Sequence, residues 1–261
     1  MTADRPIRLP DHGTEGRLWA ALLDVADTQP GGWTLIGALM VMFHAHHAEI
    51  DARRTTGDAD ALADVRGVTQ ATRRLVATLG HLGWGLHSDH PKADDLGFRF
   101  VEDGLRFDVL APDGLAERTD ITTVPPLKTV TMPGGTRALA RSAARAVVLG
   151  EREGQLPVPD LLGARVIKSR AAAADRVPTS DPSHRPERHA EDLALLYACA
   201  ADLRALRAGA TNRDRKALRD APEPHWHVLD PSLRPQAHAA HRYLAGVTGP
   251  GESTGVGDFS R

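Results

Sequence analysis

Arg54-Thr55-Thr56-Gly57-Asp58-Ala59-Asp60 is the stretch on which the reading of this chain turns. Side chains alternate between the two faces of a β-strand, so Asp58 and Asp60 project from one face, one pleat repeat apart, and can meet at one site. Two carboxylates side by side repel each other unless a proton or a cation sits between them. Mg²⁺ takes oxygen ligands from one or two carboxylates and leaves its other positions to water and phosphate oxygens. The pair is therefore a candidate metal site. Arg54 and Thr56 share its face if the strand begins that early, Arg54 able to pair with the acids and Thr56 suited to extended backbone.

Working outward, Trp33-Thr34-Leu35-Ile36-Gly37-Ala38 is a short apolar run ending in a glycine turn, and Leu39 to His47 continues with helix-compatible residues. Strand, tight turn and helix in that order aim backbone N–H groups and the positive end of a helix dipole at one place, where a phosphate can sit. Downstream, Leu105-Arg106-Phe107-Asp108-Val109-Leu110 alternates as a strand with one acid inside it. A carboxylate buried in a strand is costly unless a metal or another partner holds it.

Taken together, Gly37-Ala38, Asp58-Ala59-Asp60-Ala61 and Phe107-Asp108-Val109 resemble the signature of the nucleotidyltransferase superfamily. The form Arg54-x-Thr56-x-Asp58-x-Asp60 looks like the branch containing the AbiEii-type toxins of abortive-infection and toxin–antitoxin systems. Lys168, Arg170 and the run Arg188-His189-Ala190-Glu191-Asp192-Leu193 add to the likeness, which covers roughly residues 31 to 207. Ala38 departs from it, standing where the family has Ser or a second Gly, and so lacks a hydroxyl donor to phosphate.

The resemblance implies an α+β fold, a nucleotidyltransferase-like mixed β-sheet flanked by helices with a C-terminal helical region. It implies an enzyme that moves a nucleoside monophosphate from an NTP to an acceptor and releases pyrophosphate. Asp58, Asp60 and Asp108 would bind Mg²⁺ or Mn²⁺, and Asp108 could help deprotonate the attacking hydroxyl. Gly37, Ala38, Arg54, Thr56, Lys168 and Arg170 would meet the NTP, and Asp192 would orient Lys168. On a helix, Lys168 and Arg170 point roughly 200° apart, so only one can face the site squarely, and Lys168 is the expected one. A tRNA 3′ end or a protein side chain is the implied acceptor, and an antitoxin protein the implied partner. The alternatives are an enzyme modifying a small molecule such as an aminoglycoside, and a non-catalytic nucleotide-binding module of the same fold.

The rest of the sequence is compatible with this. At 261 residues, 41% hydrophobic, the chain can build a real core. Its net charge of −2 gives no global basic field to draw it onto nucleic acid, so an RNA would need a local patch. The single Cys199 excludes an internal disulfide and reads as a small buried residue. No run has the length of a membrane span or the core of a signal peptide, so a cytoplasmic protein without a membrane partner is expected.

Four regions are expected: an N-terminal lead-in and helix (1–30), the nucleotidyltransferase core (31–150), a C-terminal helical region (151–247) and a disordered tail (248–261). Within them, residues 1–13 read as irregular and 14–27 as a helix closed by Pro30-Gly31-Gly32. A helix is expected over 61–80 and strands over 84–90, 97–102 and 105–110, with further extended segments in 121–132. Arg137, Arg141 and Arg145, four apart, read as a basic stripe on a helix over 136–148, an exposed helix face and the candidate for an RNA or phosphate contact. Helices from Asp160 to Ala174 and from Glu187 to Ala208 flank a Pro-rich loop. One or two short helices are expected in 217–244. His44, His46 and His47 read as polar groups on a helix surface, and His225-Trp226-His227 lacks spaced Cys or acid partners in the sequence for a zinc site.

Overall fold

The computed structural model describes residues 5–52, 55–87, 95–175, 187–199 and 202–246. The chain runs through β1 (Ile7–Leu9), α1 (Gly13–Thr28), β2 (Trp33–Ile36), α2 (Gly37–His47), β3 (Asp58–Ala63), α3 (Ala71–His81), β4 (Gly85–Leu86), β5 (Arg99–Glu102) and β6 (Leu105–Pro112). It continues with β7 (Thr131–Met132), α4 (Gly135–Ala140), β8 (Ser142–Leu149), β9 (Arg152–Pro159), α5 (Leu161–Ala174), α6 (Glu187–Ala198), α7 (Leu203–Ala208), α8 (Asn212–Asp220), a 3₁₀ turn (Trp226–Val228) and α9 (Arg234–Ala245). The fold is α+β, as expected.

The main sheet is mixed, in the order β2-β3-β6-β5-β4, with β7 beside β6. β3 lies antiparallel to β2 and parallel to β6, and its register sets Asp60 opposite both Ile36 and Asp108, and Asp58 opposite Arg106. The acids therefore share one face. On the other, Ala59 and Phe107 are buried, Phe107 edge-on to Trp84 with ring centroids 5.6 Å apart.

α5 packs on both α6 and α8, and α9 covers α6. Asp160 starts α5 by accepting a hydrogen bond from Gly163 N at 2.8 Å. Inside, the fully buried Arg165 reaches from α5 to the end of α6, donating to Leu196 O at 2.8 and 3.1 Å and to Cys199 O at 3.3 Å, with the Tyr197 ring 5.0 Å from its guanidinium carbon. The last carbonyls of a helix lack partners within it, and a cation there also suits the dipole. Cys199 is buried as expected, and burial pushes its thiol up to about 12.

Several local expectations are corrected. The helix over 61–80 is a strand to Ala63 and a helix only from Ala71, because Ala61, Leu62 and Ala63 pair with β2. The helix over 136–148 is mostly strand: β8 pairs along its whole length with β9, a strand that lies in the region read as helical. The lead-in contains β1, which pairs with β8. These three strands form a second sheet, so the divisions at 30 and 150 both fall between its members. Pro157 and Pro159 are tolerated in β9 because it is the edge strand. The helix over 187–208 is α6 and α7, and the strand over 84–90 is only Gly85–Leu86, its last three positions lying outside the described residues. The tail at 248–261 lies outside them too.

The arginine stripe does not exist as a helix face. Arg137 is on α4, where Nε and Nη2 meet the buried Asp214 at 3.1 and 2.7 Å, Arg141 pairs with Asp160, and Arg145 is in β8. His44 is not a surface group either: it is buried, with Nε2 3.0 Å from Pro159 O, and burial lowers its pKa to about 4.

Candidate active site

β2, the head of α2, β3, α5 and α6 enclose a cleft of about 480 Å³. Its sheet side carries Gly37, Ala38, Thr56, Asp58, Asp60 and Arg106. Opposite stand Lys168 from α5 and Asp175, Arg188, His189 and Asp192. A cavity of this size falls within the range of small-molecule sites.

Gly37 opens α2 with φ of 70°, a conformation that L side chains rarely adopt. A Cβ there would also overlap the Asp60 carboxylate. Glycine is thus required twice, by the turn and by the carboxylate lying against it.

Asp60 is partly exposed on the cleft floor and makes no hydrogen bond or ion pair among the described residues. Desolvation pushes its carboxyl up to about 7; Asp108 and Asp58 add to the rise, and Lys168 and Arg99 oppose it. An acid held against its own ionisation by two neighbouring acids is a place where a cation is favoured.

The neighbouring acids have arginines of their own. Asp58 pairs with Arg106 across the strands. Asp108 is held by Arg99 from β5, Nε at 2.9 Å and Nη2 at 2.8 Å, and this fork keeps Arg99 charged above its usual range. Asp108 thus stands beside Asp60 as expected, but both its oxygens are engaged and it does not line the cleft.

Lys168 and Asp192, far apart in sequence, form an ion pair of 2.7 Å with side chains 7% and 0% exposed. Such burial makes either partner expensive to remove. Lys168 faces the cleft. Arg170 does not: two residues on, it is turned away, lying against Gly134 and within electrostatic reach of Asp113. Its expected contact with the NTP is corrected by this helix geometry. Thr56 lines the cleft, and its hydroxyl accepts from Asp58 N at 3.2 Å. Arg54 lies outside the described residues.

Sequence reasoning missed Arg106 and Arg99. Arg106 stands two positions before Asp108 and shares its strand face, the same period-two logic that joined Asp58 to Asp60. Arg99 becomes visible only through the register of β5 with β6.

No protein-family model and no curated protein matches the chain.

Proposed function

We propose that the chain is a metal-dependent nucleotidyltransferase, moving a nucleoside monophosphate from an NTP to a tRNA or protein acceptor in the manner of the toxins it resembles. The observation that carries the reading is Asp60: a carboxylate without a hydrogen bond among the described residues, packed on a glycine turn, with Asp58 and Asp108 on the same sheet face and Lys168 across the cleft.

Asp58 and Asp60 fit a hard divalent cation such as Mg²⁺ or Mn²⁺, with Asp108 behind them as additional negative charge. The ion would neutralise charge at the α-phosphate and on the departing pyrophosphate. Lys168, held by Asp192, and Arg106 present positive charge to the triphosphate, and the backbone at Gly37-Ala38 takes a phosphate at the start of α2. The acceptor oxygen forms its bond to the α-phosphorus as the bond to the β-phosphoryl oxygen breaks. Pyrophosphate leaves with that electron pair, and the acceptor's proton passes to the carboxylate cluster. Positioning and electrostatics account for most of the rate in this chemistry.

The test is transfer of label from each α-³²P NTP, with Mg²⁺, to total bacterial tRNA and protein, comparing wild type with Asp60→Ala. Label on one acceptor class, absent from the variant, supports the reading and identifies the substrate. Label on an aminoglycoside instead identifies a small-molecule enzyme. Metal-dependent NTP binding with no transfer to any acceptor overturns the enzyme in favour of a binding module, for which Ala38 is the sequence feature. If the toxin reading holds, co-expression with an antitoxin protein relieves growth inhibition.

A further inference from the structure

Away from the cleft acids, Glu191 on α6 comes together with His225 and His227 from the chain around the 3₁₀ turn, their ligating atoms all within 4.8 Å of one another. None of the three polar groups is engaged in a hydrogen bond or ion pair among the described residues. Glu191 precedes Asp192 by one residue, about 100° around the helix, so the group faces a different direction from the Lys168–Asp192 pair.

The turn that carries the histidines is anchored. His225 N donates to Ala190 O at 3.0 Å, fixing the turn beside Glu191. Trp226 is inserted between them in the chain, its indole N–H donating to Glu223 at 2.7 Å and its ring tilted against His238 with centroids 4.2 Å apart, with Tyr197 and His241 close by at 6.2 and 5.6 Å. With the indole locked into α6 and α9, the two flanking imidazoles stay together, ring centroids 5.4 Å apart.

We infer that Glu191, His225 and His227 form a transition-metal site, with Zn²⁺ the preferred ion and water completing its coordination. Two imidazoles and one carboxylate are the donor set of a zinc ion bound by three protein ligands, and they suit Co²⁺ and Ni²⁺ as well. An oxygen-seeking Mg²⁺ is disfavoured here, which separates this site from the carboxylates of the cleft. Ligands at zinc bond lengths stand about 3.4 Å apart in a tetrahedron, so small rotations about the side-chain bonds close the set. Bound there, the ion ties the segment before α9 to the helix that carries Asp192. The inference is independent of the proposed catalytic activity.

The experiment takes full-length protein stripped with EDTA and dialysed, and titrates it with Zn²⁺ against a chromophoric chelator and with Co²⁺ by visible absorption. We expect one equivalent bound at micromolar affinity or tighter, with the intense Co²⁺ bands of low coordination number. The exposed His227 can be replaced without disturbing the core, so His227→Ala should fold normally by circular dichroism and weaken Zn²⁺ about tenfold or more, with Glu191→Gln doing the same. Asp58→Asn/Asp60→Asn should leave Zn²⁺ binding unchanged. Absence of stoichiometric Zn²⁺ binding overturns the inference. So does binding that His227→Ala and Glu191→Gln leave intact, including binding lost instead in His46→Ala/His47→Ala or in the cleft variant.

Discussion

Replacing Asp60 by Asn should make the metal-free protein more stable at neutral pH, although it removes a residue from the centre of the cleft. Folding lifts the carboxyl from the ordinary 3.8 to about 7. The folded chain therefore holds the proton more tightly than the unfolded chain does. The stability this contributes is complete below pH 3.8 and is lost as pH rises towards 7. Taken at face value the loss is about 4 kcal/mol at pH 7, from 1.36 kcal/mol per pKa unit. The side chain is partly open to the cleft and its neighbours can relax, so about 1–2 kcal/mol is the expected size. Asn is neutral at every pH and avoids this loss.

In EDTA at pH 7, Asp60→Asn should therefore unfold about 2–8 °C higher than wild type, given about 2–4 °C per kcal/mol for a chain near this size. The gain should be roughly half as large at pH 5, where most of the titration lies ahead. Millimolar Mg²⁺ should then raise wild type and leave the variant nearly unmoved, because an ion that binds only the folded state stabilises by mass action. Differential scanning calorimetry at the two pH values measures all of this. A variant no more stable than wild type at pH 7 without metal, or a gain of equal size at both pH values, would refute the electrostatic reasoning.

Gly37→Ala meets both the positive φ and the Asp60 carboxylate, so it should cost about 2–4 kcal/mol in urea unfolding and eliminate Mg²⁺-dependent NTP binding measured by calorimetry. Arg137→Ala strands the buried Asp214 and should cost about 3 kcal/mol in the same assay, with much of that recovered in the Arg137→Ala/Asp214→Asn double variant. For His44 the pKa is lowered to about 4, so the unfolded chain binds the extra proton first and stability falls as pH drops through 6.5 towards 4. The fall between pH 7 and pH 5 is up to about 2 kcal/mol, and His44→Gln should flatten it when both are measured by urea unfolding in an Asp60→Asn background, where the opposite slope of Asp60 is absent.

What was legible in the sequence was local in character. The period of two that puts Asp58 and Asp60 on one face needs no partner strand, and Gly37 at the end of an apolar run announces a turn whatever surrounds it. Lys168 and Asp192, by contrast, were named from a resemblance, since nothing in their own neighbourhoods says that they meet. β8 was misread because Ser142-Ala143-Ala144-Arg145-Ala146 has helix-forming composition and Arg145 continues the four-residue spacing of Arg137 and Arg141 before it. Pairing with β9 and β1 overrides that preference. The engagement of Asp108 by Arg99 was invisible because it depends on a register between strands, set by the hairpin joining β5 to β6. The triad of Glu191, His225 and His227 was missed for a similar reason. Its acid is more than thirty positions away in the chain and is brought in by one backbone hydrogen bond.

The placement of β1 bears on how the protein can be made and handled. Among the described residues, Ile7, Arg8 and Leu9 find their strand partners at Val147, Val148 and Leu149, so during synthesis this first strand emerges long before the residues it pairs with. Non-local parallel pairing is slow to form. Until β8 has left the ribosome, the apolar Ile7 and Leu9 have no strand to dock on, and a nascent chain carries them exposed. A bulky tag fused close to Arg5 would hinder the same late docking. A tag beyond α9 avoids that junction and is the better choice for purification.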